Sequence, residues 1–400
     1  MERLDMLTRR NFVVSAASML AMPRVCRAGD AGVPAWRPGE LELHFIHTGR
    51  GENCFYILPD GTTVVNDCGD FYWHGKRAAK AVPFLPAGTE TELGAEVVAR
   101  YIDAVAPRKR LDYALVSHWH TDHTGDPSLV HRLAKDGRKV CGLAYLGERY
   151  DFSTFLDHQY PNVGQYGGGD VEGRDMIEAW LKAKRVPREP FKVGALDQIA
   201  LRHDPEGKYR GLFSIRNICA NAVCWTGRGE EVIDYGAIHA KAIGKASIPN
   251  QNTLSMGLLI RYGKFSFFTG GDVSGKLKNA AGEDFNYEGV VGGVVGPVDV
   301  CKTNHHAWKD AMTAEFVRAV RAKDYITCVW CTEHIHEASH VNLSSRELYS
   351  GDRRVYPTYV PAWPKAQWPD ASWWKDVNMS GGNIVVKVAP RGDSYRIFVA

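Results

Sequence analysis

The chain has 400 residues, 44% of them hydrophobic and 24% charged, the composition of a globular protein with length for a large core. Its formal charge of +3 sits at the extreme N-terminus, where residues 1–28 hold five basic and two acidic side chains and leave the remainder neutral. A neutral body supplies no general pull toward nucleic acid or anionic lipid, and no later apolar run is long enough for a membrane helix.

At the start, Thr8-Arg9-Arg10-Asn11-Phe12-Val13-Val14 is followed by an apolar stretch, Ser15 to Met22, and small residues near Ala28 and Ala31. A charged start, a short apolar region and a cleavage zone make an export signal. The paired arginines resemble the twin-arginine signal of bacteria, so the twin-arginine machinery is an expected partner and the periplasm or exterior the expected destination. Cys26 follows Pro23-Arg24-Val25, a poor match to lipoprotein processing, so no lipid anchor is expected in the mature chain. Residues 29–40 read as a Gly/Pro-rich linker into a domain spanning 41–400.

Leu41–Ile46, Cys54–Leu58 and Thr62–Val65 read as three strands, the last two joined by the turn signal Pro59-Asp60-Gly61. Val97, Val98, Tyr101, Ile102 and Val105 recur at helical spacing and predict an amphipathic helix within Thr91–Ala106. Leu111–Val116 is a short apolar run with one charge, Asp112, and predicts a buried strand. It delivers Ser117-His118-Trp119-His120-Thr121-Asp122-His123 into one loop. At a spacing of two, His118 and His120 can face the same way, while Asp122 and His123 turn to a second position. Imidazole with carboxylate suits zinc above all, with Mn2+ or Fe2+ as alternatives. Two ligand sets on one loop suggest two metals about 3.5–4 Å apart, which clamp a hydrolytic water.

Farther on, Ser128–Lys135 reads as a helix and Val140–Leu146 as a strand. Residues 147–240 have weaker periodicity, with breaks at Tyr160-Pro-Asn and Gly167-Gly-Gly and a helix at Asp175–Lys184. This part reads as an insertion shaping a substrate pocket, and its His158, His203 and His239 sit in no motif. Asn252–Gly263 and Lys264–Asp272 read as strand, turn and strand ending in Gly271-Asp272. Then come the Gly-rich apolar Gly289–Pro297, an apolar run ending in His305-His306, a helix within Ala311–Ala322, a strand at Tyr325–Cys331 and a closing hairpin. Strand alternation sets Cys328 and Cys331 on opposite faces as buried free thiols, and Cys219–Cys224 is the better disulfide candidate.

His118-x-His120-x-Asp122-His123 resembles the H-x-H-x-D-H signature of the metallo-β-lactamase-fold hydrolases, although Gly125-Asp126 follows where many members have Gly-Gly. The resemblance covers most of 41–146 and 252–400. The opening FIHTGRGENCFYILPDGTTVVNDCG is similar to the branch containing the hydrolase domain of bacterial DNA-uptake (competence) proteins, where Asp67 would support the metal loop. The resemblance implies an α/β fold, a four-layer αβ/βα sandwich with the metal centre at one edge. It also implies His118, His120, Asp122, His123, a bridging Asp272 and one of His305 and His306 as metal ligands. Asp122 would in addition hold the attacking hydroxide and carry its proton onward. His340 would touch substrate or donate a proton, with helix capping as its alternative. The implied activity is an exported hydrolase with two Zn2+ acting on a phosphoester or related ester. A lactam or lactone hydrolase and a non-catalytic metal-binding module are the alternatives.

Overall fold

Two eight-stranded sheets are built from strands that are mostly buried on both faces. The computed structural model describes residues 32–84, 91–162, 170–196, 198–244 and 250–400. The export signal with Cys26, and the Gly167-Gly-Gly break, lie outside the described residues.

From edge to edge the first sheet runs Tyr395–Val399, Ile384–Val388, Leu41–Phe45, Asn53–Ile57, Thr63–Cys68, Leu111–Leu115, Phe152–Asp157 and Arg188–Pro190. The second runs Val232–Asp234, Val223–Trp225, Phe213–Ala220, Gly257–Tyr262, Phe265–Thr269, Val300–Lys302, Asp324–Thr327 and Arg354–Pro357. Phe45 and Tyr56 of the first sheet each meet Phe267 of the second at a ring distance of 5.9 Å. Leu43, Leu115, Ile260 and Ile326 fill the same inter-sheet layer. The outer face of the first sheet is covered by helices Gly94–Val105, Gly142–Arg149 and Val171–Lys184. That of the second is covered by Tyr287–Val295 and Ala314–Val320. The architecture is a four-layer αβ/βα sandwich, as the resemblance implies.

Strand Leu111–Leu115 shows why so apolar a run is needed. Tyr113 and Leu115 face the inter-sheet layer while Ala114 and Val116 face the helices, so neither side meets water. Its one charged side chain is hydrogen-bonded locally, since Asp112 Oδ2 accepts from the Thr63 backbone N–H at 2.9 Å. The strand pairs in parallel with Thr63–Cys68 and with Phe152–Asp157. In the second sheet Phe265–Thr269, Val300–Lys302, Asp324–Thr327 and Arg354–Pro357 are likewise parallel neighbours.

Several expectations are corrected. Val140–Leu146 is not a strand: Lys139–Val140 forms a two-residue strand and Gly142–Arg149 is a helix. Leu143 and Leu146, three residues apart, bury one helical face in the helix layer, a spacing the apolar run disguised. Ser128–Lys135 is not a helix, because Asp136-Gly137 closes a small hairpin that pairs Arg132–Leu133 with Lys139–Val140. Residues 147–240, read as an insertion, contribute to the sandwich itself. They supply Phe152–Asp157 and Arg188–Pro190 to the first sheet and three strands to the second. Gly289–Pro297 is largely the helix Tyr287–Val295, and the strand expected at Tyr325–Cys331 ends at Thr327. Cys219 and Cys224 are cross-strand partners yet stand as free buried thiols, with Cys219 Sγ turned to the Ser255 carbonyl at 3.8 Å. Cys328 and Cys331 are also free and buried.

Ile102 lies wholly buried under the first sheet. Ile102→Ala should lower unfolding free energy by roughly 2–5 kcal/mol in urea titrations, through lost burial and a residual cavity. A loss below about 1 kcal/mol would contradict the packing described.

Candidate metal centre

The segments that meet here leave the carboxyl ends of parallel strands, the edge where open α/β sheets bind ligands. After Leu115 the chain turns through Ser117–His120 into one helical turn, Thr121–Thr124. Asp67, at the end of the neighbouring strand, fixes both ends of that loop. Its Oδ1 accepts from the Ser117 N–H at 2.6 Å and its Oδ2 from His123 Nδ1–H at 2.9 Å. The Asp122 carbonyl accepts from the Glu52 N–H at 2.8 Å. A Cβ on Gly51 or Gly69 would stand 2.3 or 1.8 Å from that carbonyl oxygen, so this approach requires glycine at both positions.

Across the cleft, His305, His306 and Ala307 are three successive left-handed residues, with φ of 44°, 53° and 55°. Such backbone costs about 1–3 kcal/mol per residue and persists only where its surroundings dictate it. Here the buried Glu288 carboxylate accepts from Asn304 Nδ2 at 2.9 Å and from the N–H groups of Met312 and Thr313 at 2.8 and 2.9 Å. It clamps the loop at both ends.

The side chains converge on one oxygen. Asp272 Oδ2 lies 3.2 Å from His123 Nε2, 3.5 Å from His306 Nε2, 3.8 Å from His118 Nε2 and 4.0 Å from His305 Nε2. Asp122 Oδ2 lies 3.1 Å from His306 Nε2 and 3.4 Å from His123 Nε2, and His120 Nδ1 lies 2.9 Å from His118 Nε2. The outward nitrogens are anchored. His306 Nδ1–H donates to the Cys328 carbonyl at 2.9 Å, His118 Nδ1 meets Ser117 Oγ at 3.1 Å, and His305 Nδ1–H donates to Asp310 at 2.6 Å.

A divalent cation fits these residues. Two ligands on one tetrahedral zinc, with bonds of about 2.0–2.1 Å, stand roughly 3.3 Å apart. The four distances linking His123 and His306 to Asp122 and Asp272 run from 3.1 to 3.5 Å. His123 Nε2 and Asp272 Oδ1 are buried without a hydrogen bond. Trp330 Nε1–H points at His306 Nε2 at 3.2 Å, which only an unprotonated nitrogen accepts, and that is also the ligating form. In the metal-free protein the same charges act on protons. Burial alone would lower His306, but the Asp272 charge and a hydrogen bond to Asp122 push it up to about 10. His123 is raised well above its usual value against its burial by Asp272, Asp122 and Asp67. Burial, reinforced by the His123 and His120 charges, holds His118 well below its own. Asp122 and Asp272 are buried, yet the neighbouring histidines hold both well below the carboxylate range.

Of the residues named from sequence, His118, His120, Asp122, His123, Asp272, His305 and His306 are brought together. Of the paired histidines, His306 lies deepest and His305 at the rim, 12% exposed. His340 is not brought in, which corrects its expected catalytic placement. It sits in helix Glu337–Ser344 with Nδ1–H donated to the His336 carbonyl at 3.1 Å and its ring 4.9 Å from Trp373. The histidine of that segment which reaches the cluster is His334, stacked on His306 at 4.7 Å. His203 is held by Asp112 at 3.1 Å, His239 accepts from the Lys278 N–H, and His158 packs on Trp119, so none of these three joins the centre. Sequence reasoning also missed Glu52, whose carboxylate groups with His123, Asp272 and His306 within 4.8 Å. The signal was an acidic residue entering a buried strand that is apolar after Asn53, matched by Lys302 closing another.

No family model and no curated protein matches the sequence. Solved structures give remote likenesses. They include Zn(2+)-bound PqqB from Methylobacterium extorquens, 12% identical over 92% of this chain and 94% of that one, with a TM-score of 0.37. Human tRNase Z, short form, is 12% identical over 71% of this chain and 91% of that one, at 0.32. A point mutant of the CmlA β-hydroxylase is 12% identical at 0.38, and this chain, covered over 80%, spans 52% of that one.

Asp67→Asn replaces one accepting oxygen by an amide NH2, so only one of the Ser117 and His123 N–H groups keeps its acceptor. Metal affinity, measured by competition with a chelator, should fall about 10–100-fold while the fold is retained. Unchanged affinity would contradict the role given to Asp67.

Proposed function

We propose that this chain is an exported hydrolase of the metallo-β-lactamase superfamily that uses two zinc ions to cleave a phosphoester or related ester. The observation that carries this reading is the convergence of four imidazole nitrogens on Asp272 Oδ2, with the outward nitrogens of His118, His123, His305 and His306 anchored. In this reading His118 and His120 hold one ion, Asp122, His123 and His306 hold the other, and Asp272 lies between them. Mn2+ or Fe2+ would suit the same donors. Bound divalent ions there supply Lewis acidity and a water whose pKa is lowered to about 7.

The chain's own residues do the rest. Asp122, at the rim of the cluster, accepts the proton released from the attacking water through the oxygen it does not commit to an ion. His305 is held by Asp310 in the tautomer that leaves Nε2 unprotonated and facing Asp272, where it can accept a proton. Phe71 and Trp73 pack on Trp330, which lies 5.8 Å from the His306 ring, and form an apolar wall beside the centre. The opening strand pair and its Gly51-Glu52 turn favour the competence-protein branch. Arg9-Arg10 and the apolar run after them favour twin-arginine export, and the neutral body offers nucleic acid no general attraction.

Asp272→Asn tests the reading, because an amide supplies less charge to two adjacent cations. Metal content should fall from about two ions per chain, and turnover of aryl phosphodiesters and aryl esters should fall further, by about 100-fold or more. Near-normal metal and rate in the variant would reject it. Metal binding by the natural protein with no turnover across ester, phosphodiester, lactone and lactam substrates would favour a non-catalytic metal-binding module.

A further inference from the structure

Glu52 stands close enough to the centre to be counted among its ligands, yet its surroundings assign it elsewhere. Its Oε2 lies 2.7 Å from Lys302 Nζ, and both side chains are wholly buried. Lys302 Nζ also donates to the Gly271 carbonyl at 3.0 Å, the residue before Asp272. Glu52 approaches His306 from the Nδ1 edge, at 3.7 Å, whereas Asp122 and Asp272 face Nε2 at 3.1 and 3.5 Å. One imidazole presents one nitrogen to a cation, and Nδ1 is already committed to the Cys328 carbonyl. The carboxylate therefore meets His306 at its Nδ1 edge and not at the Nε2 that Asp122 and Asp272 face.

We propose that Lys302 is a positioning residue that holds Glu52 out of the ligand set, an inference resting on the metal reading above. A third carboxylate on the ions would bind them more tightly and neutralise the charge that makes them Lewis acids. By pairing with Glu52, Lys302 limits the anionic ligands to Asp122 and Asp272. A charge pair this deeply buried is costly unless both partners stay, because losing one leaves the other uncompensated. Without Lys302, the nearest compensation for Glu52 is a metal ion.

The test is a two-by-two cycle on the full chain, with Co2+ as the probe and its visible absorption reporting the ligand set. Lys302→Met should change the Co2+ spectrum and tighten binding about tenfold, whereas Glu52→Gln/Lys302→Met should keep the natural spectrum and an affinity within about threefold. The double variant carries no unpaired buried charge, so it decides the matter even where Lys302→Met does not fold. Glu52→Gln/Lys302→Met losing an ion or shifting the spectrum would make Glu52 a ligand and overturn the inference alone. A natural spectrum in Lys302→Met would likewise overturn it while leaving the metal reading intact. Natural protein that binds no Co2+ would overturn both.

Discussion

Asp272 Oδ2 has four imidazole nitrogens within 4.0 Å, three of them on rings at most 1% exposed. Buried carboxylates cannot stand among neutral rings without positive charge, so the cluster must hold protons or a metal ion. In the metal-free chain the charges of Asp272 and Asp122 raise the proton affinity of His123 and His306. A divalent ion meets the same demand with better geometry, since the spacings among these four side chains match those of ligands on one zinc. Much of the surrounding structure serves to keep that unfavourable concentration of donors in place.

The sandwich does this by bringing strand ends from both sheets to one edge. Asp67 and the 117–123 loop come from the first sheet, and Asp272 and His305-His306 from the second. Each segment is then locked by a buried acid that makes no demand on a cation: Asp67 under His123, and Glu288 under the left-handed turn at His305 to Ala307. The Glu52–Lys302 pair ties the two sheets together between these locks. A cleft built from rigid strand ends can hold several rings within a few tenths of an ångström, which mobile loops do not.

Much of this was legible in the chain because its signals are local. Leu111–Val116 is apolar enough to be a strand buried on both faces, and His118, His120, Asp122 and His123 follow it at once. Asp272 and His305-His306 also follow strands whose pattern stands out. What escaped was set by tertiary packing. Val140–Leu146 is a short apolar run that passes for a strand, but Leu143 and Leu146 bury a helical face in the outer layer. The strands within 147–240 are short or partly exposed, so their pattern was too weak to reveal that they complete both sheets. His334 and His340 look alike in sequence, and only the start of helix Glu337–Ser344 turns one toward His306 and the other toward Trp373. Glu52 and Lys302 lie 250 residues apart and announce themselves only as charges where apolar strands begin and end.

Anomalous diffraction at the zinc edge, from crystals of the full chain grown with zinc, tests the central claim most directly. The account predicts two peaks about 3.5–4 Å apart on either side of the Asp272 carboxylate, one toward His118 and His120 and one toward His123 and His306. No peak at Asp272, or one peak coordinated by Glu52, would contradict it.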